Sequence, residues 1–260
     1  MKTVITLIFV IAMVNIAFAT TRIVDINGGG GYTSINAAIQ ASVAGDTVKV
    51  WPGIYNQQVN LNKDVVLMGS GYEGTILSGS YNPVVLMNTG KLMWFRVTSY
   101  SGDGIKTSGG TVSNCAIISC LGEGILSNTN GAITQIFNCV FYKNNLHGIQ
   151  GSNGATINVI NCIGWSNGAG FYYDSYSSSI VISYSFSDEP QFVSEYDIHL
   201  QPTSSCVNGG SPSLFDPDGS RSDIGYFGGP DCPIYPVVTE ILITPGVSTI
   251  NLQAKARANY

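Results

Sequence analysis

The stretch Asn114-Cys-Ala-Ile-Ile-Ser-Cys-Leu-Gly-Glu-Gly-Ile125 decides the fold, because its pattern recurs along the chain. Residues 138–149 and 161–171 repeat its Asn-Cys start and its Gly-apolar end, and residues 94–105 keep its apolar positions. Equivalent positions are separated by 20 to 24 residues. A unit that recurs at such a period indicates a solenoid, in which each repeat buries its apolar side chains against its neighbours.

Three columns of apolar residues predict the buried side of each repeat. Gly and Asn recur between them, where the chain must turn. A leucine-rich repeat has a similar length, but its Leu framework is missing here. We therefore predict an all-β fold, a right-handed parallel β-helix of about six coils stacked roughly 4.8 Å apart. The columns are Phe95, Cys115, Cys139, Cys162 and Tyr184; Leu92, Val112, Ile136, Val159 and Val181; and Ile105, Ile125, Ile149 and Phe171.

The cysteines and asparagines of the repeats are predicted to have structural roles. Cys behaves as a small buried hydrophobe, and parallel side chains on adjacent coils point the wrong way for a disulfide, so the stacked cysteines are expected to be free thiols. Asn114, Asn138 and Asn161 occupy a turn position, where Asn tolerates left-handed backbone angles and can hydrogen-bond its neighbour in the stack. Cys120, which aligns with Asn144, is also expected at a turn.

The first residues have the layout of a secretory signal peptide. Lys2 is followed by an apolar run, and Ala17-Phe-Ala19 places small residues at the two positions before the expected cleavage site. We predict a signal peptide at residues 1–19 and a mature chain that begins at Thr20; the alternative is an uncleaved anchor. The apolar run is too short to span a bilayer comfortably, and no second one follows, so we expect a secreted protein, extracellular or at the cell surface, without a membrane span after cleavage.

The composition argues against a nucleic-acid-binding protein. Lys and Arg total 11 against 16 Asp and Glu, so loss of Lys2 leaves the mature chain at 10 against 16, a net charge of −6, with no basic stripe. Few charges and 31 Gly residues suit a protein of strands and turns. We assign residues 20–236 to the β-helix with its caps. Residues 237–260 form a C-terminal extension, which is the start of an immunoglobulin-like module, a tail strand or an attachment segment.

The first coil carries a resemblance to a known family. A short amphipathic helix is expected from Ser34 to Val43, capped by Thr33 or Ser34. Together with Gly45-Asp-Thr-Val, Pro52-Gly-Ile-Tyr and Leu67-Met-Gly-Ser-Gly, it resembles the N-terminal cap and first coil of the pectin-lyase-like superfamily. The superfamily includes pectate lyases, pectin esterases and polygalacturonases. The resemblance covers roughly residues 25–230 and implies the fold, but catalytic and non-catalytic members share these motifs.

The other end resembles a recurrent ending of bacterial secreted β-helix proteins. Its strings are Ile198-His-Leu-Gln-Pro202, Cys206-Val-Asn-Gly-Gly-Ser-Pro212 and Asp216-Pro-Asp-Gly-Ser-Arg221. The resemblance implies a loop-rich closing cap, stapled by a disulfide between Cys206 and Cys232.

Asp216, Asp218 and Asp223 are candidate ligands of a calcium ion, because acidic, oxygen-rich loops bind hard cations. The alternative is that Arg221 pairs with these carboxylates and holds the loop together. No other cofactor is expected.

The superfamily resemblance places a catalytic groove on the outer face of the strand that begins with Gly-Ile. Stacking would bring the Asp103 and Glu123 carboxylates of this face one coil apart. A carboxylate pair at that distance raises the pKa of one member, as an acid and base require. The separation suits a retaining glycosidase. Asp103 and Glu123, both expected to be exposed, would be the acid and the base, and His147 would assist them. Lys106 and Gln150 would orient a sugar. The alternative is a column of exposed polar residues without a task. In successive repeats the residue before the Gly is Asp103, Glu123, His147 and Ala169.

Aromatic residues of the last full repeat offer a separate binding site. Sugar rings stack on such side chains by apolar contact with polar flanks. Tyr172 is expected at the outward position next to Gln150, and Asp174 two residues further on. The alternative is that some of these side chains pack in the core or a cap. The aromatic residues are Trp165, Tyr172, Tyr173 and Tyr176.

The catalytic signatures of the superfamily are missing. The paired Asp and Gly-His-Gly set of polygalacturonases and the Gln and Asp strings of pectin esterases are absent from the sequence. Arg96 is the only Arg of the repeats and falls at a different corner of the coil. We therefore predict a monomeric, non-catalytic module that binds a polysaccharide or cell-surface glycan, or acts as an adhesive or structural scaffold. The alternative is a polysaccharide lyase or glycoside hydrolase that acts in the outer groove.

Overall fold

The computed structural model describes residues 19–233 and the backbone of residues 235–245 and 250–259. The expected signal peptide lies outside the described residues except for Ala19. The last two segments pair as antiparallel strands. The proposed domain boundary at residue 236 stays a prediction.

The described chain winds through six complete coils of three strands each, and one further strand begins a seventh. A single short helix, α1 (Ile35–Ala41), precedes the first coil. The strands in chain order are β1 (Thr21–Val24), β2 (Thr47–Val50), β3 (Gly53–Asn56), β4 (Val59–Leu61), β5 (Val66–Met68), β6 (Thr75–Gly79), β7 (Val85–Met87), β8 (Lys91–Met93), β9 (Arg96–Ser99), β10 (Ile105–Thr107), β11 (Gly110–Ser113), β12 (Ala116–Ile118), β13 (Ile125–Ser127), β14 (Ile133–Phe137), β15 (Val140–Tyr142), β16 (His147–Gly151), β17 (Thr156–Ile160), β18 (Ile163–Trp165), β19 (Gly170–Asp174), β20 (Ser179–Ser183), β21 (Tyr235–Pro245) and β22 (Ile250–Asn259).

Three parallel sheets form the sides of the solenoid, and each coil contributes one strand to every sheet. Sheet A has the order β1-β2-β5-β8-β11-β14-β17-β20, sheet B the order β3-β6-β9-β12-β15-β18, and sheet C the order β4-β7-β10-β13-β16-β19. The chain passes from sheet A to sheet B to sheet C within each coil. The predicted parallel β-helix is therefore confirmed, with a coil count close to the expected one.

The predicted columns form the interior. Ile105, Ile125 and Ile149 pair with one another on sheet C and are fully buried. Phe95 and the stacked cysteines are also fully buried, in the same core cluster. Equivalent residues of successive coils thus bury a continuous apolar core, as the repeat indicated.

In the last repeat the predicted register is wrong by one residue. Ile149 pairs with Tyr172 rather than Phe171, and Val159 pairs with Ile182 rather than Val181. The sequence alignment followed residue type, but the pairing follows the backbone hydrogen bonds between coils. Phe171 still packs partly buried against the core, whereas Tyr172, at the inward position, is 52% exposed because no further strand of sheet C follows β19 among the described residues.

The N-terminal helix closes the first coil as predicted. Ser34 is its N-cap and accepts a hydrogen bond from Ala37 N at 3.5 Å. Ile35, Ala38 and Ile39 face the core and are buried, whereas Val43 lies beyond the helix and is exposed. The apolar face of the helix therefore covers the end of the core at the first coil.

The C-terminal segment, residues 187–233, is loop-rich, as expected, and lies along the outer face of sheet B. Ala116, Val140 and Ile163 point outward from this sheet and form a second apolar cluster with side chains of the segment, including Ile198 and Tyr226. The segment runs back along the solenoid to the second coil, where the backbone N–H of Tyr72 donates to the Tyr226 hydroxyl at 3.0 Å.

The stacked asparagines hold this C-terminal segment. Asn114, Asn138 and Asn161 all have left-handed φ angles, as predicted, but their side chains do not bond to one another. Asn114 Nδ2 donates to Tyr226 O at 2.7 Å, and Asn138 Nδ2 donates to Asp223 O at 3.1 Å. The expectation of hydrogen bonds within this column is therefore wrong, because the amides point outward from the corner between sheets A and B.

All six cysteines are buried free thiols, so the expected disulfide between Cys206 and Cys232 is wrong. Both belong to the apolar cluster between sheet B and the C-terminal segment, and Cys232 Sγ donates to Pro233 O at 3.8 Å. The segment is held by apolar contacts and asparagine amides instead of a covalent staple. Burial raises the pKa of the Cys115 thiol to about 12.

We expect Asn138→Gly to lower the free energy of unfolding by about 1–3 kcal/mol, because Gly keeps the left-handed backbone but leaves buried carbonyl oxygens without a donor. Asn153→Gly is the matched control, since Asn153 is exposed and has a φ of 54° and a side-chain hydrogen bond of 3.4 Å. Urea-induced unfolding measures both variants. Equal losses in the two would contradict the role assigned to Asn138.

We expect iodoacetamide to label all six cysteines in denaturant without reductant, and to label none in the native protein near neutral pH, because the thiols are buried. Intact-mass spectrometry counts the labels. Two labels fewer than expected in denaturant would reveal a disulfide, and peptide mapping would show whether it joins Cys206 to Cys232.

Candidate functional site

The outer face of sheet C carries most of the predicted site residues. Lys106, Leu126 and Gln150 pair in register on β10, β13 and β16, and Tyr173 on β19 continues the row. These four side chains point outward and are partly or largely exposed. The sequence alignment predicts Tyr172 at the end of this row, but the structure has Tyr173 there.

The column of Asp103, Glu123 and His147 lies at the entrance to these strands and links successive coils. The backbone N–H of Glu123 donates to Asp103 Oδ1 at 2.9 Å. The backbone N–H of His147 donates to Glu123 Oε2 at 2.6 Å. Each carboxylate therefore accepts a hydrogen bond from the next coil. The column continues to Gly170, and not to Ala169 as aligned from the sequence.

Glu123 is buried, contrary to the expectation that both carboxylates are exposed, with 5% of its surface accessible. Burial raises the pKa of its carboxyl, hydrogen bonds and charge from His147 oppose the rise, and the nearby charge of Asp103 adds to it. Desolvation is therefore the main cause of the shift, and repulsion between the two carboxylates is secondary. Asp103 is only half-buried and its Oδ1 is occupied by the backbone of Glu123.

Glu123 and His147 form a side-chain pair. Glu123 Oε1 lies 3.4 Å from His147 Nδ1, and the imidazole stacks on the Tyr173 ring with centroids 5.1 Å apart and planes inclined by 16°. Within the described residues, His147 Nε2 has no hydrogen-bond partner. A carboxylate at one ring nitrogen sets the orientation and tautomer of a histidine whose other nitrogen is available to a ligand.

The tyrosines of the last coil are exposed, and of these Tyr173 belongs to the outward row. The exposed fractions of Tyr172, Tyr173 and Tyr176 are 52%, 49% and 80%. Trp165 does not join them, because it lies on β18 of sheet B and packs against the cluster under the C-terminal segment. Asp174 pairs with Gly151 and accepts hydrogen bonds from the Ser178 hydroxyl and from Ile180 N at 3.2 Å, so that its carboxylate shapes a turn.

The acidic C-terminal loop does not assemble the predicted calcium ligands. In residues 19–233 no group of three or more His, Cys, Asp and Glu side chains is arranged to hold a metal ion. Asp216 accepts hydrogen bonds from Gly229 N and Asp223 N, and Asp223 accepts one from Asn208 N. Burial raises the pKa of Asp216 to about 6. The carboxylates cap backbone amides of the loop.

The alternative explanation of this loop, pairing of Arg221 with the aspartates, also differs from the structure. Arg221 Nε donates to Gly210 O at 2.7 Å, and no ion pair joins it to a carboxylate in the part of the chain that the structure describes.

Sequence reasoning missed a pocket of about 490 Å³ on the C-terminal segment. His199 Nδ1 lies 2.5 Å from Asp197 Oδ1, and the imidazole stacks on Phe227 at 4.0 Å. Burial favours a higher pKa for Asp197, but hydrogen bonds from His199 outweigh it and lower the pKa. The sequence shows the string around Ile198, but it does not show that the following His199 stacks on Phe227, which lies further along the C-terminal segment.

We expect Glu123→Gln to raise the melting temperature relative to the wild type more at pH 7 than at pH 4. The raised folded-state pKa of Glu123 means that its stabilising effect is present at low pH and lost as the pH rises through that pKa, whereas Gln does not titrate. Gln also keeps an acceptor for His147 N. Differential scanning calorimetry across this pH range, with the exposed Glu189→Gln as control, measures the difference. If the gain in melting temperature of Glu123→Gln over the wild type became smaller with rising pH, the prediction would be contradicted, and His147 would be holding Glu123 ionised in the folded protein.

No helix in the described residues has the length and apolar character needed to cross a membrane.

No curated protein matches the chain. Among solved structures, the crystal structure of pectate lyase Pel9A matches with 13% sequence identity and a TM-score of 0.37, over 83% of this chain and 98% of that chain.

A family model described as "Right handed beta helix region" matches residues 53–187. This range begins at β3, the second strand of the first coil, and ends just after Phe186, which forms a β-bridge to Ile163. The match and the three parallel sheets agree, and the chain belongs to the right-handed β-helix family.

Proposed function

We propose that this protein is a secreted, monomeric carbohydrate-binding β-helix, whose polysaccharide or cell-surface glycan ligand lies along the outer face of sheet C. The observation that carries the proposal is the aromatic end of that face, where Tyr173 ends the outward row and is 49% exposed, with the exposed Tyr172 and Tyr176 beside it in the last coil. The apolar face of a sugar ring stacks on such rings, while polar groups beside it accept and donate hydrogen bonds.

The neighbouring residues supply these polar groups. Gln150 lies next to Tyr173 in the outward row, and Lys106 lies two coils further along the sheet. Successive side chains of the row are spaced roughly 4.8 Å apart, close to the length of one sugar unit in an extended chain, so Lys106 and Gln150 lie two such intervals apart. The Leu126 side chain between them adds an apolar contact. An elongated ligand suits this row better than a compact one.

The geometry of the acidic column favours binding over catalysis. Asp103 and Glu123 use carboxylate oxygens to accept backbone hydrogen bonds from the next coil, and Glu123 is buried. A pair of general acid and base needs both groups within reach of the scissile bond. The secretion that the proposal includes rests on the signal-like sequence of residues 1–19.

One observation favours a second candidate, a polysaccharide lyase or glycoside hydrolase. Glu123 has a raised pKa and orients His147, whose Nε2 has no partner within the described residues. A histidine of this kind can remove a proton from a bound sugar. In this case His147 would be the base, with Glu123 positioning it.

The two candidates are separated by a panel of neutral and acidic polysaccharides, on which affinity electrophoresis follows retention and reducing-end and absorbance assays follow cleavage. The proposed function expects retention without cleavage. Cleavage that falls by at least ~10²-fold in His147→Gln, with retention preserved, would establish the second candidate instead. A protein that neither retains nor cleaves any member of the panel would contradict both.

We expect Tyr173→Ala to weaken retention by about 3- to 10-fold on the polysaccharide that the wild type binds best, because one aromatic contact is lost. Tyr172→Ala should weaken it less, because Tyr172 pairs with the inward Ile149 and not with the outward row. The control is Tyr184→Asn: Tyr184 is similarly exposed but lies at the corner between sheets A and B, where Asn suits its left-handed φ of 49°. Equal weakening by the control, or none by Tyr173→Ala, would remove the tyrosines from the binding surface.

A further inference from the structure

Arg96 occupies an unusual position on the outer face of sheet B. It pairs in register with Ile76 on one side and Ala116 on the other. Beyond Ala116 the same outward column is apolar and buried under the C-terminal segment. Arg96 is therefore the one cation in a column whose other members are apolar, at the place where the C-terminal segment begins to cover the sheet.

The guanidinium of Arg96 has no partner among the described residues. Its Nε is buried and makes no hydrogen bond. The other cations that face the C-terminal segment are paired, since Lys91 binds Asp231 at 2.5 Å and Lys143 binds Glu195 at 2.8 Å. A buried donor left without an acceptor is costly, so a charged one in this state points to an acceptor that comes from outside the chain.

A pocket of about 140 Å³ opens beside this guanidinium, between sheet B and residues 195–198 of the C-terminal segment. Its polar lining consists of two cations, one carboxylate and several hydroxyl groups. Lys143 already pairs with Glu195, and the Glu73 and Asp197 carboxylates beside the pocket contact the Tyr72 hydroxyl, so Arg96 is the lining cation without an ion pair among the described residues. The lining residues are Tyr72, Arg96, Ile118, Ser119, Tyr142, Lys143, Glu195, Tyr196 and Ile198.

Two hydroxyl groups of the lining already bind carboxylates, and the others leave one free donor. Burial raises the pKa of Tyr72 above its ordinary value, with the charges of Glu73 and Asp197 adding to the rise, so its phenol stays protonated and donates to Glu73 Oε1 at 3.2 Å. Lys143 Nζ lies 5.0 Å from the centroid of the Tyr142 ring, which fixes the ammonium at the edge of the pocket. Tyr196 is hydrogen-bonded to the Glu195 carboxylate, so the Ser119 hydroxyl, which has no partner among the described residues, is the free donor of the lining.

We propose that this pocket binds a single oxyanion group, a carboxylate, sulfate or phosphate, through the guanidinium of Arg96. The planar fork of Arg matches such groups with two parallel hydrogen bonds. The volume admits one such group, so the anion is either a free inorganic ion or the charged substituent of a larger molecule whose remainder stays outside. The site lies on a different sheet from the proposed glycan-binding face and does not depend on it.

The test is equilibrium dialysis of the full chain against radiolabelled sulfate and against glucuronate, at constant ionic strength maintained with chloride. The wild type should bind about one equivalent of at least one probe. Arg96→Gln should weaken this binding at least tenfold, and Lys49→Gln, which removes an exposed charge on sheet A, should leave it unchanged. Sulfate binding alone would identify a free-anion site, and glucuronate binding alone a site for a charged sugar.

A spectroscopic measurement keeps the proposal testable if Arg96→Gln does not fold. The sequence contains Arg only at positions 22, 96, 221 and 257, so the Nε–H signals of the wild type are few enough to assign by NMR. The Arg96 signal should shift on titration with the probe that binds. Binding of neither probe, unchanged binding in Arg96→Gln, or an Arg96 signal that does not move would each overturn the proposal and leave a water molecule as the partner of Nε.

Discussion

The register of backbone hydrogen bonds between successive coils is the constraint on which the rest of this structure depends. Because each strand pairs in parallel with the same strand of the next coil, any residue type that recurs in the sequence becomes a column in space. The inward columns, such as Ile105, Ile125 and Ile149, become the core. The outward columns become the surfaces available to ligands. A shift of one residue moves a side chain from one set to the other.

The corners of the coil use the same stacking for two different purposes. At the turn before sheet C, the Asn167 side chain accepts from Asn144 N at 3.1 Å, and Asn144 in turn accepts from Cys120 N at 3.0 Å, so this column ties coil to coil. At the corner between sheets A and B, Asn114 and Asn138 point outward and bind the C-terminal segment. Asparagine therefore hydrogen-bonds one coil to the next at the first corner, and hydrogen-bonds the C-terminal segment to the solenoid at the second.

The sideways packing of the C-terminal segment divides the outer surface into two kinds of face. Sheet B is covered, and its unsatisfied Arg96 lies where that cover leaves a small pocket. Sheet C is uncovered, and its row from Lys106 to Tyr173 remains accessible. In both places a repeating scaffold provides a regular background, and single departures from the repeat carry the chemistry: a cation in an apolar column, and a histidine above a buried glutamate.

The sequence by itself determined the period, the buried columns, the capping helix and the alignment of Asp103, Glu123 and His147, because a periodic pattern needs no knowledge of distant contacts. Only the tertiary structure decided the register of the last repeat, the burial of Glu123, the free state of Cys206 and Cys232 and the path of residues 187–233. Each of these depends on contacts between residues far apart in the chain. The C-terminal segment has no repeat pattern. Its position is set by the apolar side chains on the outer face of sheet B and by the asparagine amides at the neighbouring corner, both of which bind it.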